Sequence, residues 1–333
     1  MSRIVEIGED KLEGFRGEWT ELFAACKDST PFQHPEWIIP WWRNFGGSTF
    51  KMAAFYDSGV LAGLAPVFIY RADDKIRRAC FTGTGISDYL NILASCGNEK
   101  RFAVMFSEYL AEISDQWDEC DLQDIPEGSA LLSLDFSREF LVEKGKWNVC
   151  PYLELPVSPV MFEYCFPKKL RKNIRAVSRE LSRSGGFRIE IAEKGQLNLF
   201  LSELFRLHEA RWASKHQHGV LDGEMLKRFY IESAPGLLES GLLRLYLLRF
   251  RDKAIAGYYV LSTGDRAYAY LGGFDPSFSD FSPGALALFH VIKDSLDRGA
   301  KIFDFMRGGE AYKYYWGPKE KHNYRIVIRK RKT

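Results

Sequence analysis

The chain is short of most of the features that mark a specialised protein. Its cysteines, Cys26, Cys80, Cys96, Cys120, Cys150 and Cys165, form no Cys-x-x-Cys pair and stand at no zinc-ligand spacing with a histidine. That argues against a zinc or dithiol site and fits buried free thiols. No stretch approaches the roughly 18 apolar residues that span a bilayer, and the opening Met-Ser-Arg-Ile-Val-Glu has no apolar signal region. A cytoplasmic protein without membrane insertion is therefore expected. Neither charge dominates: 46 Lys and Arg against 44 Asp and Glu leave a net charge of +2, too small to make the whole molecule a nucleic-acid binder. A Gly-x-Ser-x-Gly elbow and a Walker loop are both missing, which removes the two commonest readings for a serine hydrolase and a P-loop enzyme.

What is present reads as two related halves. A chain of 333 residues exceeds one ordinary core and suggests about two domains. Aromatic residues, 15% of the total, supply large cores and pocket walls. The first half opens with a strand at Ile4 to Ile7, a helix through Trp19, and a Trp-rich helix that Pro40 should kink or shorten. Strands follow at Phe50 to Tyr56, Val60 to Tyr70 and Ile76 to Thr82, then a helix at Lys100 to Ile113 and a strand at Trp117 to Leu122. The second half repeats the order: a strand at Phe187 to Ala192, helices at Gln196 to Lys215 and Gly223 to Ser233, and strands at Leu243 to Phe250, Ala254 to Ser262 and Ala267 to Phe274. A helix at Pro283 to Arg298 and strands at Lys301 to Phe305 and Tyr324 to Arg329 complete it. Ala62-Gly63 and Ala256-Gly257 hold matching places, as do Asp121 and Asp304, so the halves read as a duplicated unit. Between them, Leu170, Ile174, Val177 and Leu181 fall on one face of a helix, Lys172, Arg175, Arg179 and Arg183 on another, and Gly185-Gly186 ends it. The cationic side is either a solvated face or a strip that meets an anionic substrate or RNA.

The most informative stretch runs from Gly272 to Gly284. Ser282 suits an N-cap, Pro283 the first helical position, and Gly284 leaves the first turn uncovered. Free backbone N–H groups and the helix dipole then make an anion site suited to a pyrophosphate. An ordinary capped helix is the plain alternative. The apolar stripe Leu197, Leu201, Leu204 continues into His208 and Arg211, either a helix end reaching a cavity or a pair of groups tied up inside the core.

These segments, with Pro31-Phe32-Gln33-His34-Pro35-Glu36-Trp37, Gly85-Ile86-Ser87-Asp88-Tyr89-Leu90, Leu207-His208-Glu209-Ala210-Arg211-Trp212, Phe303-Asp304-Phe305-Met306-Arg307-Gly308, Tyr312-Lys313 and Trp316-Gly317, make the chain resemble the CelD/BcsL-type acetyltransferases of the GNAT superfamily, relatives of the Fem peptidyltransferases. The resemblance covers nearly the whole chain. It implies a mixed α/β (α+β) fold of two tandem GNAT domains, each a mostly antiparallel sheet flanked by helices. Residues 1–160 would form the N-terminal domain, 161–186 a connecting basic helix, and 187–333 the C-terminal domain with the donor site.

The activity implied is transfer of an acyl group from acetyl-CoA or another acyl-CoA to an amine of a sugar or peptide, in polysaccharide or cell-envelope synthesis. The donor would lie on Tyr270, Leu271, Gly272, Gly273 and Phe274, with its phosphates on Ser282, Pro283, Gly284, Ala285 and Leu286. The usual GNAT phosphate loop, Arg/Gln-x-x-Gly-x-Gly/Ala, is reduced here to Gly284-Ala285. Direct attack on a thioester needs a base for the amine, an oxyanion donor near Leu271 or Gly272, and an acid for the thiolate. His208, Asp304 and Tyr312 are the catalytic candidates. Asp88, Tyr89, Arg211, Trp212, Arg307, Gly308, Lys313 and Trp316 are the acceptor-binding ones, through a carboxylate, bidentate guanidinium, cation and stacking surfaces. Two alternatives stay open: an aminoacyl-tRNA-dependent Fem-like transferase, and a non-catalytic binding protein.

Overall fold

A computed structural model of the chain describes residues 2–134, 136, 139–213 and 223–331. The chain divides into two compact units, Met1–Val149 with Lys321–Thr333, and Cys150–Glu320. In chain order the elements are β1 (Arg3–Ile7), α1 (Leu12–Ala25), α2 (Pro35–Phe45), β2 (Thr49–Asp57), β3 (Val60–Arg71), β4 (Arg77–Phe81), β5 (Leu93–Ala94), α3 (Glu99–Glu112), β6 (Glu119–Pro126) and β7 (Phe140–Glu154). Then follow α4 (Lys168–Arg183), β8 (Phe187–Ile191), α5 (Leu197–Ala213), α6 (Glu224–Glu239), β9 (Leu243–Phe250), β10 (Lys253–Thr263), β11 (Arg266–Phe274), α7 (Pro283–Asp297), β12 (Ile302–Asp304), α8 (Ala311–Tyr314) and β13 (Lys319–Lys330). The helix expected over Gln196 to Lys215 is α5; the last two residues of that span lie outside the described residues. Among the described residues, no helix is long and apolar enough to cross a membrane.

In the first unit β1, β2, β3 and β4 form an antiparallel series, β6 joins β4 in parallel, and β13 joins β6 antiparallel. Tyr324 to Arg329, which sequence order assigns to the second half, therefore pair with the first unit's sheet. Arg325 and Arg329 hold the register by reaching Asp121 and Glu119, at 2.7 Å each, and the buried Asn323 donates to Asp124 at 2.6 Å. Trp19, Trp37, Phe55, Phe81, Phe102 and Phe106 fill the core. α2 runs through Pro40: the missing N–H removes one bond of a helix whose Trp37, Ile38, Ile39, Trp41 and Trp42 are all buried, and that burial outweighs the loss.

The second unit repeats the order. β8, β9, β10 and β11 are antiparallel neighbours, β12 joins β11 in parallel, and the end of β7 (Tyr152 to Glu154) joins β12 antiparallel. α4 and α7 share one core with β9 and β10, through Ile174, Leu181, Leu286, Val291, Tyr246 and Leu248. The predicted apolar stripe of α4 faces this core, and its cationic residues are exposed or half-buried. Gly185 and Gly186 take left-handed φ values of 132° and 83°, and the Gly186 amide closes the helix on Leu181 O at 2.9 Å.

Candidate active site

The site begins where two strands separate. β11 pairs with β12 only from Arg266 to Tyr268, against Ile302 to Asp304. Its other edge stays paired with β10 as far as Phe274, opposite Ala256. The register of that second ladder shifts between Tyr259, opposite Leu271, and Val260, opposite Ala269, so Tyr270 is the extra residue of a bulge. A bulge turns its strand and takes one residue out of the ladder. The backbone from Ala269 to Phe274 thus runs on past β12.

Gly273 brings a helix onto this strand. A Cβ there would lie 2.6 Å from Leu207 C and 2.7 Å from His208 Cα, so the backbones of β11 and α5 touch. The contact aims the last turn of α5 at the strand end. His208 is 2% exposed, and its Nε2 accepts from Trp212 Nε1 at 2.9 Å. The ring proton is then on Nδ1, which is buried and has no acceptor among the described residues. Burial first, and the charge of Arg211 second, pull the His208 pKa down to about 4, so the ring is neutral at physiological pH. Arg211 donates to Gly272 O at 3.3 Å, and its guanidinium lies 5.2 Å from the Tyr312 ring and 5.7 Å from that of Phe274. Burial pushes the Tyr312 phenol up to about 12, against the opposing charge of Arg211.

The start of α7 is also at hand, in a form the sequence did not foretell. Ser282 is left-handed (φ 42°, ψ 51°), and its side chain caps nothing. Its carbonyl takes the Ala285 and Leu286 amides at 3.0 and 3.1 Å, and Pro283 has no N–H. The expected patch of free donors narrows to the Gly284 amide, since Ala285 is already bonded to Ser282 O. The reason lies upstream, in the short helical turn Pro276–Phe281, which delivers the chain to α7 with Ser282 turned over. Phe274 lies beside Gly284, and Tyr258 donates to Gly284 O at 3.2 Å while its ring fills the space left by Gly272. Sequence reasoning missed Tyr258. Its signal was a tyrosine following Gly257 in a strand flanked by Gly272, but alternation does not say which of Tyr258 and Tyr259 faces the helix end.

The loop after β12 is held from within. The fully buried Asp304 accepts from the Met306 amide at 2.8 Å, and Met306 is left-handed with φ 65°. Lys313, 2% exposed, donates to the carbonyls of Met306, Arg307 and Gly308 at 3.1, 2.8 and 3.0 Å and pairs with Glu310 at 2.8 Å. Trp316 is buried against Phe166 and Phe305. Lys313 and Trp316 thus hold the loop and core. His208, Arg211, Trp212, Gly272, Gly273, Phe274, Gly284 and Tyr312 form one cluster. Asp88 and Tyr89 are buried residues of the first unit: the Asp88 carbonyl accepts from Asn323, and Lys321 lies 4.5 Å from the Tyr89 ring centroid.

A parallel strand pair that parts at a bulge, beside a helix N-terminus, can be compared with known families. Residues 168–314 match the acetyltransferase (GNAT) domain. The matched stretch contains every residue of the cluster. The chain as a whole has a tandem GNAT fold, with Fem-like neighbours. Over 97% of its length it superposes on 96% of the structure of FemX, with a TM-score of 0.68 at 12% identity. It covers 92% of the C-terminal domain of a putative lysylphosphatidylglycerol synthetase from Agrobacterium fabrum over 95% of its own length, with a TM-score of 0.60 at 11% identity. A tandem GNAT protein from the clavulanic acid biosynthesis pathway gives 99% and 98% coverage, 0.50 and 10%. At these identities the likeness is one of fold. No curated protein matches the chain in sequence.

Proposed function

We propose that the protein is a cytoplasmic N-acyltransferase that moves an acyl group from acyl-CoA, acetyl-CoA in the simplest case, to an amino group of a sugar or peptide acceptor in polysaccharide or cell-envelope synthesis. The observation that carries this reading is the parting of β11 and β12 beyond Tyr268, with the bulge at Tyr270. The edge of an extended strand beyond its β12 ladder suits the amides of a pantetheine arm, which would lie along Tyr270 to Phe274. The amide of Gly284 would meet its phosphates at the positive end of α7.

Attack of the amine on the thioester carbonyl places a negative charge on oxygen, and a backbone N–H of the bulge near Leu271 is the donor suited to it. Tyr312, protonated at neutral pH, gives its proton to the departing thiolate, the Arg211 charge eases that release, and the phenolate takes back the proton that the attacking amine sheds, so amide and free thiol form with the tyrosine restored. His208 acts by position: its acceptor nitrogen is engaged by Trp212, so it orients the end of α5 rather than taking the proton from the amine. Asp304 supports the loop that carries Arg307 and Gly308, which would meet the acceptor together with Trp212.

The test is melting with and without acetyl-CoA. Ligand at about 100 times its Kd adds about 2.7 kcal/mol, a rise of roughly 5–10 °C for a unit of this size. Tyr312→Phe should retain the shift and lose turnover. The thin helix end favours one second reading, an aminoacyl-tRNA donor: no shift with acetyl-CoA, together with a salt-sensitive tRNA complex, would establish it. Absence of both would leave a binding protein.

A further inference from the structure

The second unit has a groove of about 590 Å³ between α4, β8 and α7, lined by Arg171, Arg175, Arg179 and Arg183 and floored by Phe187 and Phe289. α4 carries seven cationic residues and one carboxylate, Glu180. Arg175 pairs with Glu163. Among the described residues, Lys168, Lys169, Lys172, Arg179 and Arg183 have no ion pair. The Nε of Arg171 is buried with no acceptor, a donor that lacks its anion.

The segment just before α4 is exposed and apolar. Val157, Val160, Met161 and Tyr164 are 104%, 81%, 51% and 65% accessible. They are not loosely hung, because Phe162 and Phe166 between them pack on Phe289 of α7, with ring centroids 5.1 and 5.9 Å away. Arg171 lies 5.2 Å from the Tyr164 ring, which ties this segment to the groove. Rigid apolar tips beside a cationic helix have a specific complement: a surface that is apolar beneath and anionic on top. RNA would match the arginines but leave Val157, Val160 and Met161 in water.

We propose that this face docks on a membrane of anionic phospholipid, with headgroup phosphodiesters taken up along the groove by Arg171, Arg175 and Arg179 and the tips of Val157, Val160 and Met161 set into the acyl boundary. The surface is independent of the donor assignment, since none of its residues belongs to the cluster around Gly273.

The test is co-sedimentation of the full chain with vesicles of phosphatidylcholine alone and of phosphatidylcholine mixed with phosphatidylglycerol. Binding is expected to the mixed vesicles only and should fall with salt. Arg179→Gln with Arg183→Gln should weaken it about 25-fold, at roughly 5-fold per charge removed. Val160→Asp with Met161→Asp should abolish sedimentation at every salt concentration. All four side chains are exposed, so the variants should melt with the wild type, and that melt is the control for folding. Equal binding to both vesicle types, no binding to either, or variants that sediment like the wild type would overturn the proposal. So would retention of a short single-stranded RNA without vesicle binding, which would make the occupant a nucleic acid.

Discussion

Replacing Gly273 with alanine tests the contact on which the site is built. The new Cβ would lie within 2.7 Å of three backbone atoms of Leu207 and His208, and no side-chain rotation can relieve a clash with backbone. An ordinary contact needs about 3.5–4.0 Å, so α5 has to move off β11 by about 1 Å. Overpacking of this kind costs about 1–3 kcal/mol, a fall in Tm of roughly 3–10 °C. A misplacement of about 1 Å at a reacting geometry costs on the order of 100-fold in rate, because His208, Arg211 and Trp212 ride on the helix that moves. Gly284→Ala is the internal comparison: its Cβ would meet Phe274 at 3.4 Å, a contact a side chain can yield to. That variant should melt at or slightly above the wild type while binding acetyl-CoA more weakly. Differential scanning calorimetry and a thiol-release assay read both quantities. If Gly273→Ala melts and turns over like the wild type, β11 and α5 do not touch there and the account of the site is wrong.

Lys313→Met should cost about 2–4 kcal/mol in urea denaturation, because three carbonyls and Glu310 lose a buried partner; a cost under about 0.5 kcal/mol would contradict the ammonium's role in the loop. His34 and His208 titrate near 6.5 when unfolded, and burial holds each at about 4 in the fold. Between those values the unfolded chain binds protons the native chain does not, so stability is full above pH 6.5 and declines as the pH falls towards 4, by up to about 3 kcal/mol for each ring. Denaturation midpoints measured at stepped pH check this, and a flat profile over that range would refute it. A thiol reagent should label Cys96 and Cys165 in the native protein and spare Cys26, Cys80, Cys120 and Cys150, which are buried; rapid labelling of all six would show that the cores are open.

The local signals were legible and the distant ones were not. The hairpins of both halves followed from alternation and turn residues, and α4 from Leu170, Ile174, Val177 and Leu181, because period and punctuation are properties of neighbouring residues. His208 stood out as a polar residue on an apolar stripe, and it is buried. The last strand did not reveal its sheet: Tyr324 to Arg329 alternate like any strand, and only Asp121, Glu119 and Asp124, two hundred residues away, select its partner. Ser282 carried the right letters for a cap, but the preceding turn fixed its φ. Lys313 and Trp316 looked like binding groups because single residues in a loop have no periodicity to report their burial.

The exchange of outer strands has a consequence for synthesis. The first unit spans Met1 to Val149 but takes Lys321 onwards into its sheet, so β6 emerges from the ribosome with one edge bare. The 192 residues between Pro126 and Lys319 must be made before β13 arrives, a delay of roughly 10–40 s at typical elongation rates. The second unit suffers no such wait, since Tyr152 to Glu154, the partners of β12, stand at its start. The earlier-made unit is thus the later to mature, and in the interval its unmatched edge is the part of the nascent chain most in need of a chaperone.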